Sequence, residues 1–391
     1  MRFQAPSTGR AGAVVCLLGT LLLSSCGGGG SSPVEVRLKE QTAKKTVLGF
    51  PALATKNTTR VGGTDPTDDA AGAANAVFPS HEAALRPRLV SLVNSGDWHA
   101  GIAAAALMAP PIRAPVLLAG KDGIPDATAG ALNSLAPRGF ARAAGAQVVR
   151  IGEVAKPKGV RSTQLAGSDP FALADAIDAF LEHATGSASP DVVIAPADAP
   201  TFAMPAAAWA AKSGDAVLYV HKDQVPAATK RAIQRHEHPT MYVLGPRQVI
   251  SDGVVQQLKK LGTVKRVGGK TAVDNAIAFA RYSDGSFGWG VQDPGHGFVI
   301  ANTGRPLDAA AGAALSASGK YGPLLLLDSR DRLPPTLQNY LLDLQPGYRF
   351  DPVRGVYNHA WLMGDESAIS VDVQARVDSL AEITQVKQGG T

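Results

Sequence analysis

The chain has 391 residues, of which 45% are hydrophobic and 18% charged, and its formal net charge is +5 at pH 7. This composition is that of a packed globular protein and excludes a disordered chain. The mild positive charge gives no support to nucleic-acid binding, although it is compatible with an acidic surface polymer as partner.

The N-terminus carries the features of a bacterial lipoprotein signal. Arg2 and Arg10 form a positive n-region, and residues 11–23 are an apolar run too short for a permanent transmembrane helix. The run ends in Leu23-Ser24-Ser25-Cys26-Gly27, which resembles a lipobox, where the signal is cut before a cysteine that then carries the lipid. We therefore predict a signal peptide over residues 1–25, lipidation of Cys26 and an anchor at the outer face of the cytoplasmic membrane.

Only one cysteine remains after removal of this signal, because Cys16 lies in the apolar run. A disulfide framework and a cysteine metal site are therefore excluded, and we predict no cofactor. Residues 26–57 are rich in glycine and polar residues and predict a flexible tether. The residues that follow are numerous enough for several small hydrophobic cores.

Two landmarks recur three times after the tether. The first ends in a glycine at Gly63, Gly167 and Gly269, and the second is a charged turn that ends at Pro125, Pro226 and Pro334. Both landmarks have a period of about one hundred residues, which indicates an internal repeat. We predict repeat 1 over residues 58–162, repeat 2 over 163–264 and repeat 3 over 265–384.

Strand and helix signals alternate within each repeat. Short apolar runs lead into alanine-rich segments with high helix propensity, and a second apolar run then leads into a helix that the landmark proline opens. A third strand and a further helix are clear only in repeats 2 and 3. In repeat 1 they shrink to residues 147–152 and a loop rich in lysine and proline. The alternation predicts an α/β fold of three tandem Rossmann-like units with parallel sheets and right-handed crossovers.

With these motifs in order, the chain resembles the cell wall-binding repeat 2 family of surface proteins. The matching segments are R-V-G-G at 60–63 and 266–269, A-P-V-L-L at 114–118, K-D-G-I-P at 121–125, L-G at 244–245, V-I-S-D at 249–252, L-D-A at 307–309 and P-L-L-L at 323–326. The resemblance covers about residues 58–383 and implies three copies packed as a pseudo-threefold body. It also implies noncovalent attachment to anionic wall polymers. The family's R-Y-x-T-A signature is absent, and its P-D-A-L turn keeps the aspartate only at Asp308, so this is a divergent member.

Candidate binding residues follow the second strand of each repeat. Lys121, Lys222 and Arg330 occupy the same position, beyond a strand and before a helix, where parallel sheets and helix N-termini favour anionic ligands. We call them the loop cations. The strands themselves resemble the I-L-L motif with which the family attaches to walls, and we call these segments the apolar triplets: Val116, Leu117 and Leu118; Val217, Leu218 and Tyr219; Leu324, Leu325 and Leu326.

We interpret the chain as a non-enzymatic lipoprotein that binds anionic wall polymer or peptidoglycan. Two alternatives stay open: a solute-binding or scaffold lipoprotein, and a zinc N-acetylmuramoyl-alanine amidase. The amidase reading rests on D-P-G-H-G at 293–297, but a glycine-rich loop rather than a strand precedes His296. His236-Glu237-His238 lacks the H-E-x-x-H spacing and is typical of a helix end.

Overall fold

The computed structural model describes residues 53–318 and 322–386, all within one compact unit, Lys45–Thr391. The signal peptide, Cys26 and most of the predicted tether lie outside the described residues. Within the described ranges, no helix is both long and apolar enough to cross a membrane.

The elements alternate as the sequence predicts. Those up to the end of the first sheet are β1 (Leu53–Ala54), β2 (Thr58–Val61), α1 (Pro66–Val77), β3 (Val90–Asn94), α2 (Trp98–Ala104), β4 (Val116–Ala119), α3 (Asp126–Leu135), β5 (Val148–Ile151) and β6 (Ser162–Leu165). The middle of the chain forms α4 (Pro170–Thr185), β7 (Asp191–Pro196), α5 (Pro200–Ser213), β8 (Ala216–Val220), α6 (Ala227–Arg235), β9 (Thr240–Leu244), α7 (Asp252–Leu258) and β10 (Thr263–Val267). The last part forms α8 (Ala272–Arg281), β11 (Gly297–Asn302), α9 (Leu307–Ala317), β12 (Leu324–Leu327), α10 (Pro335–Asp343), β13 (Gly347–Tyr348), β14 (His359–Met363), α11 (Val371–Ala381) and β15 (Thr384–Gln385).

Three sheets share one strand order. Sheet 1 runs β4-β3-β5-β6, sheet 2 runs β8-β7-β9-β10, and sheet 3 runs β12-β11-β14-β2, with β1 added antiparallel to β2 at its edge. All other neighbouring strands in these sheets are parallel. The predicted α/β class with parallel-stranded units is therefore confirmed.

The strand that opens each repeat lies in the sheet of another repeat. β6 carries the first landmark of repeat 2 yet completes sheet 1, and β10 carries the first landmark of repeat 3 yet completes sheet 2. β2 completes sheet 3 by pairing with β14, some 300 residues away along the chain. The sheets and the sequence repeats are thus offset by one strand, and the repeat boundaries given above stay predictions about the sequence.

Three helices lie at the centre of the body: α2 between β3 and β4, α5 between β7 and β8, and α9 between β11 and β12. α2, α5 and α9 contact one another, and 16 of their 24 buried residues are alanine or glycine. A Cβ on Gly101 would lie 2.9 Å from Leu307 Cδ2 and 3.1 Å from Ala310 Cβ, so a side chain at this position would require α9 or the Leu307 side chain to shift. Small residues therefore let three helices meet between three sheets, because close packing favours them.

The buried side chain of Arg60 holds β2, the strand that completes sheet 3, against α11 and the loop after β14. Arg60 on β2 is 2% exposed and donates to the Gly364 and Asp365 carbonyls at 3.0 and 2.8 Å and to Gln374 Oε1 at 3.1 and 2.8 Å. The equivalent side chains are Arg266, which donates to the Gly245 carbonyl, and the exposed Gln164, which makes a single bond to Gly152. In each repeat, the side chain at this position of the first landmark thus donates a hydrogen bond to the carbonyl of the glycine that follows the third strand of the sheet.

We expect Arg60→Met to lower the free energy of unfolding by about 3 kcal/mol, because the carbonyls of Gly364 and Asp365 after β14 and the side chain of Gln374 on α11 lose their donor. Gln164→Met is the matched control and should cost below about 0.5 kcal/mol, since that side chain is exposed. Urea-induced unfolding of the two variants measures the difference. Equal losses of stability in the two variants would show that the pairing of β2 with β14 does not depend on Arg60.

Candidate functional site

The loop cations lie at the carboxyl edges of the three sheets. Lys121 follows β4, Lys222 follows β8 and Arg330 follows β12, and all three side chains are exposed. In two of the sheets their backbone is held in the same way. The Lys222 carbonyl accepts from the amide of Ser251, the N-cap of α7, at 2.8 Å, and the Arg330 carbonyl accepts from Ser370, the N-cap of α11, at 3.0 Å.

The three charges differ in how far they are neutralised. Lys121 Nζ lies 2.7 Å from Glu153 Oε2, and this hydrogen bond raises the pKa of the lysine. Arg330 donates to Asp331 Oδ1 and to the Glu366 carbonyl, both at 2.7 Å. No ion pair involves Lys222 within the described part of the chain. Lys222 is therefore the cation most available to an anionic ligand at these edges.

The apolar triplets are buried. All nine side chains are at most 3% exposed, and they lie on β4, β8 and β12, the outer strands of their sheets. The carbonyls of Leu118 and Tyr219 accept hydrogen bonds from Thr128 Oγ1 at 2.5 Å and Thr229 Oγ1 at 2.7 Å. The triplets thus support the strand ends that carry the loop cations and offer no exposed surface to a polymer; their part in binding stays a prediction.

Sequence reasoning missed a buried charged cluster at the carboxyl edge of sheet 3. Arg305 forms ion pairs with Asp69 on α1 and with Asp308 on α9. The Arg305 Nε atom lies 2.9 Å from Asp308 Oδ2. The carboxyl groups of both aspartates are fully buried. Burial raises the pKa of Asp308 to about 6, and burial together with repulsion from Asp308 raises the pKa of Asp69. Gly62, at φ 108°, leaves room for Asp69, whose Oδ1 accepts from the Gly63 amide at 2.6 Å.

The two carboxyl groups of this cluster are buried while the Arg305 side chain is 16% exposed, and the cluster joins the first and third repeats. Asn275 on α8 takes the place of Asp69 in sheet 2, where its Oδ1 accepts from the Gly269 amide at 3.3 Å. The sequence signal that could have revealed this position is a polar residue four positions after the helix N-cap, which recurs at Asp69 in α1 and Asn275 in α8. We therefore interpret the cluster as structural.

The candidate zinc residue lies in an exposed turn. His296 Nε2 is 3.1 Å from Asp293 Oδ1, and the Asp293 side chain is 80% exposed. No group of three potential metal ligands occurs among the residues that the structure describes. His236, the other histidine considered, is the C-cap of α6, and its Nε2 lies 3.1 Å from both carboxylate oxygens of Asp178.

The comparison with protein families decides the classification. The model of the family described as cell wall binding domain 2 matches residues 164–255 and 266–374, which together make up just over half of the chain. The chain belongs to this family. The match covers repeats 2 and 3 and leaves out the shortened repeat 1, and it confirms the resemblance read from the landmarks.

Solved structures share the fold. Cwp6 from Clostridium difficile superposes with a TM-score of 0.66 at 19% identity, over 83% of this chain and 48% of that one. Cwp8 from the same organism gives a TM-score of 0.62 at 16% identity, over 84% of this chain and 52% of that one. The chain thus spans about half the length of these proteins, and at this identity the likeness concerns the fold. A comparison with curated proteins gives no match.

Proposed function

We propose that the protein is a non-enzymatic cell-envelope lipoprotein that binds anionic wall polymers through its body of three repeats. Membership of a cell wall binding family, with matches over most of repeats 2 and 3, is the observation that carries this proposal. The three equivalent positions of the loop cations on one body add to it. An extended polymer can contact several such positions at once, and linked contacts strengthen one another.

A binding role without catalysis agrees with the chemistry of the described residues. General acid-base or metal-assisted hydrolysis requires titratable groups that a substrate can reach. The carboxyl groups with strongly raised pKa values, Asp69 and Asp308, are fully buried, and His296 sits in an exposed turn with a single carboxylate beside it. The exposed groups at the carboxyl edges are suited to recognising charge.

The described chain begins with β1, which pairs antiparallel to β2 with Leu53 opposite Arg60. β1 is the edge strand of sheet 3 opposite β12, the strand that Arg330 follows. A lipid on Cys26 would therefore hold the body from the side of sheet 3 that is farthest from this loop cation. This arrangement is compatible with a bridge between membrane and wall.

For the anchor, we expect Cys26→Ser to leave the signal uncut or to release the protein from the membrane fraction, because the acylated residue is lost. Fractionation in high salt, followed by immunoblotting, measures this. Ser25→Ala keeps a small residue before the cysteine and should stay with the membrane. Retention of a processed Cys26→Ser protein in the membrane pellet would contradict lipidation at this cysteine.

For the loop cations, we expect the triple variant Lys121→Gln, Lys222→Gln and Arg330→Gln to bind wall polymer about a hundredfold more weakly at low salt. Each exposed contact contributes on the order of 1 kcal/mol or less, so single variants should show small effects. Lys222→Gln should have the largest of these, since Lys121 and Arg330 already have acidic neighbours.

Binding should also weaken steeply as salt rises, because screening acts over about 3 Å at 1 M. Binding of the wild-type and triple variants across a salt series measures both effects. An unchanged affinity in the triple variant would remove the loop cations from the binding surface.

A further inference from the structure

The connection between the last two strands of sheet 1 differs from its counterparts. In sheet 2 helix α7 links the third strand to the fourth, and in sheet 3 helix α11 follows the third strand, whereas residues 152–161 after the third strand of sheet 1 contain no helix. The fourth strand of sheet 1 is also the least buried of the three. None of the four residues of β6 is buried, whereas one residue of β10 and all four residues of β2 are. Sheet 1 therefore has an open edge strand, preceded by a connection without a helix.

A groove of about 680 Å³ lies at this open edge, between the helix-free connection and α4. Four cations line it or the adjoining groove of about 550 Å³: Arg142, Lys156, Lys158 and Arg161. The two share Lys156, Val160 and Arg161, so they form one continuous surface on both sides of residues 156–161. We call this surface the basic groove.

The charge of the basic groove is not balanced by the chain. All four cationic side chains are exposed, and none forms an ion pair within the described residues. No aspartate or glutamate lines either part of the groove. Glu153, on the same connection, is already bonded to Lys121 at 2.7 Å. Like charges held together in a concave surface concentrate a positive potential and attract anions.

The walls of the groove are suited to a sugar chain. Val160 and the ring of Phe180 on α4 are half-buried there and give an apolar surface. Ser162, at the start of β6, also lines the groove, and its buried hydroxyl has no hydrogen-bond partner among the described residues. A buried hydroxyl without a partner costs free energy, so this wall has hydrogen-bonding capacity that the chain leaves unused.

We propose that the basic groove of repeat 1 is a binding site for a polyanionic glycan, distinct from the loop cations. Four unpaired cations along two adjoining grooves fit an extended chain with repeated negative charges better than a single small anion. Phosphodiester and carboxylate groups both satisfy this chemistry. The inference rests on the proposed wall-polymer binding and places part of it where repeat 1 has lost a helix.

The test compares two variants with the same loss of charge. The groove variant carries Arg142→Gln, Lys156→Gln, Lys158→Gln and Arg161→Gln. The control variant carries Lys259→Gln, Lys260→Gln, Arg349→Gln and Arg354→Gln, which are exposed cations that do not line the groove. Binding of the full chain to polyglycerol phosphate, to polygalacturonate and to neutral dextran is measured at low salt and at about 1 M salt. Thermal unfolding checks that both variants are folded.

We expect the groove variant to bind at least one charged polymer roughly thirtyfold more weakly than wild type, and the control variant to lose less than about threefold. The polymer that shows the difference identifies phosphodiester or carboxylate as the preferred group, and dextran should not bind. Equal losses in the two variants would reduce the effect to overall charge and overturn the site.

Wild-type affinity in the groove variant, with intact wall binding, would also overturn the site while leaving the proposed function standing. The converse result is distinct: wild type that binds neither walls nor charged polymers would overturn both.

Discussion

The insertion of β2 beside β14 is the pairing on which the rest of the structure depends. A parallel sheet lacking its fourth strand would expose an edge of unpaired backbone groups, and each of the three sheets obtains that strand from the next repeat along the ring. Repeat 3 has no following repeat, so the N-terminal strand supplies it, and buried Arg60 ties the two ends together. The chain is thereby closed into a ring by contacts between residues some 300 positions apart.

Closure places three helices at a common centre and sets their composition. α2, α5 and α9 approach closely because most of their buried residues are alanine and glycine. Arg305, Asp69 and Asp308 join α1 to α9 beside that centre. Burial of two carboxyl groups with one guanidinium is costly unless the geometry is held firmly, which the surrounding packing provides. The three carboxyl edges then carry loops whose ends are fixed by buried strands, so exposed cations are presented from a rigid support.

The local sequence pattern predicted the strands and helices of each repeat. It did not predict that each sheet takes its fourth strand from another repeat. The alternating apolar runs and the landmark prolines predicted β4, β8 and β12 and the helices after them, because these signals depend on short spacings along the chain. That β2, β6 and β10 complete neighbouring sheets follows from distant pairing, which no window of sequence contains. From the sequence alone, the apolar triplets were compatible with a buried strand and with an exposed contact surface. Their burial in the structure distinguishes the two. The cluster of Asp69 and Asp308, and the groove around Arg161, likewise depend on segments that meet only in three dimensions.

Affinity for the anionic polymers of the wall is the central claim, and sedimentation with purified walls tests it most directly. The full-length protein is mixed with intact walls and with walls stripped of their anionic polymers but retaining peptidoglycan. We predict that the protein sediments with intact walls at low salt and stays in the supernatant with stripped walls. Equal sedimentation with both preparations would make peptidoglycan the ligand. An absence of sedimentation with intact walls would contradict wall binding by this chain.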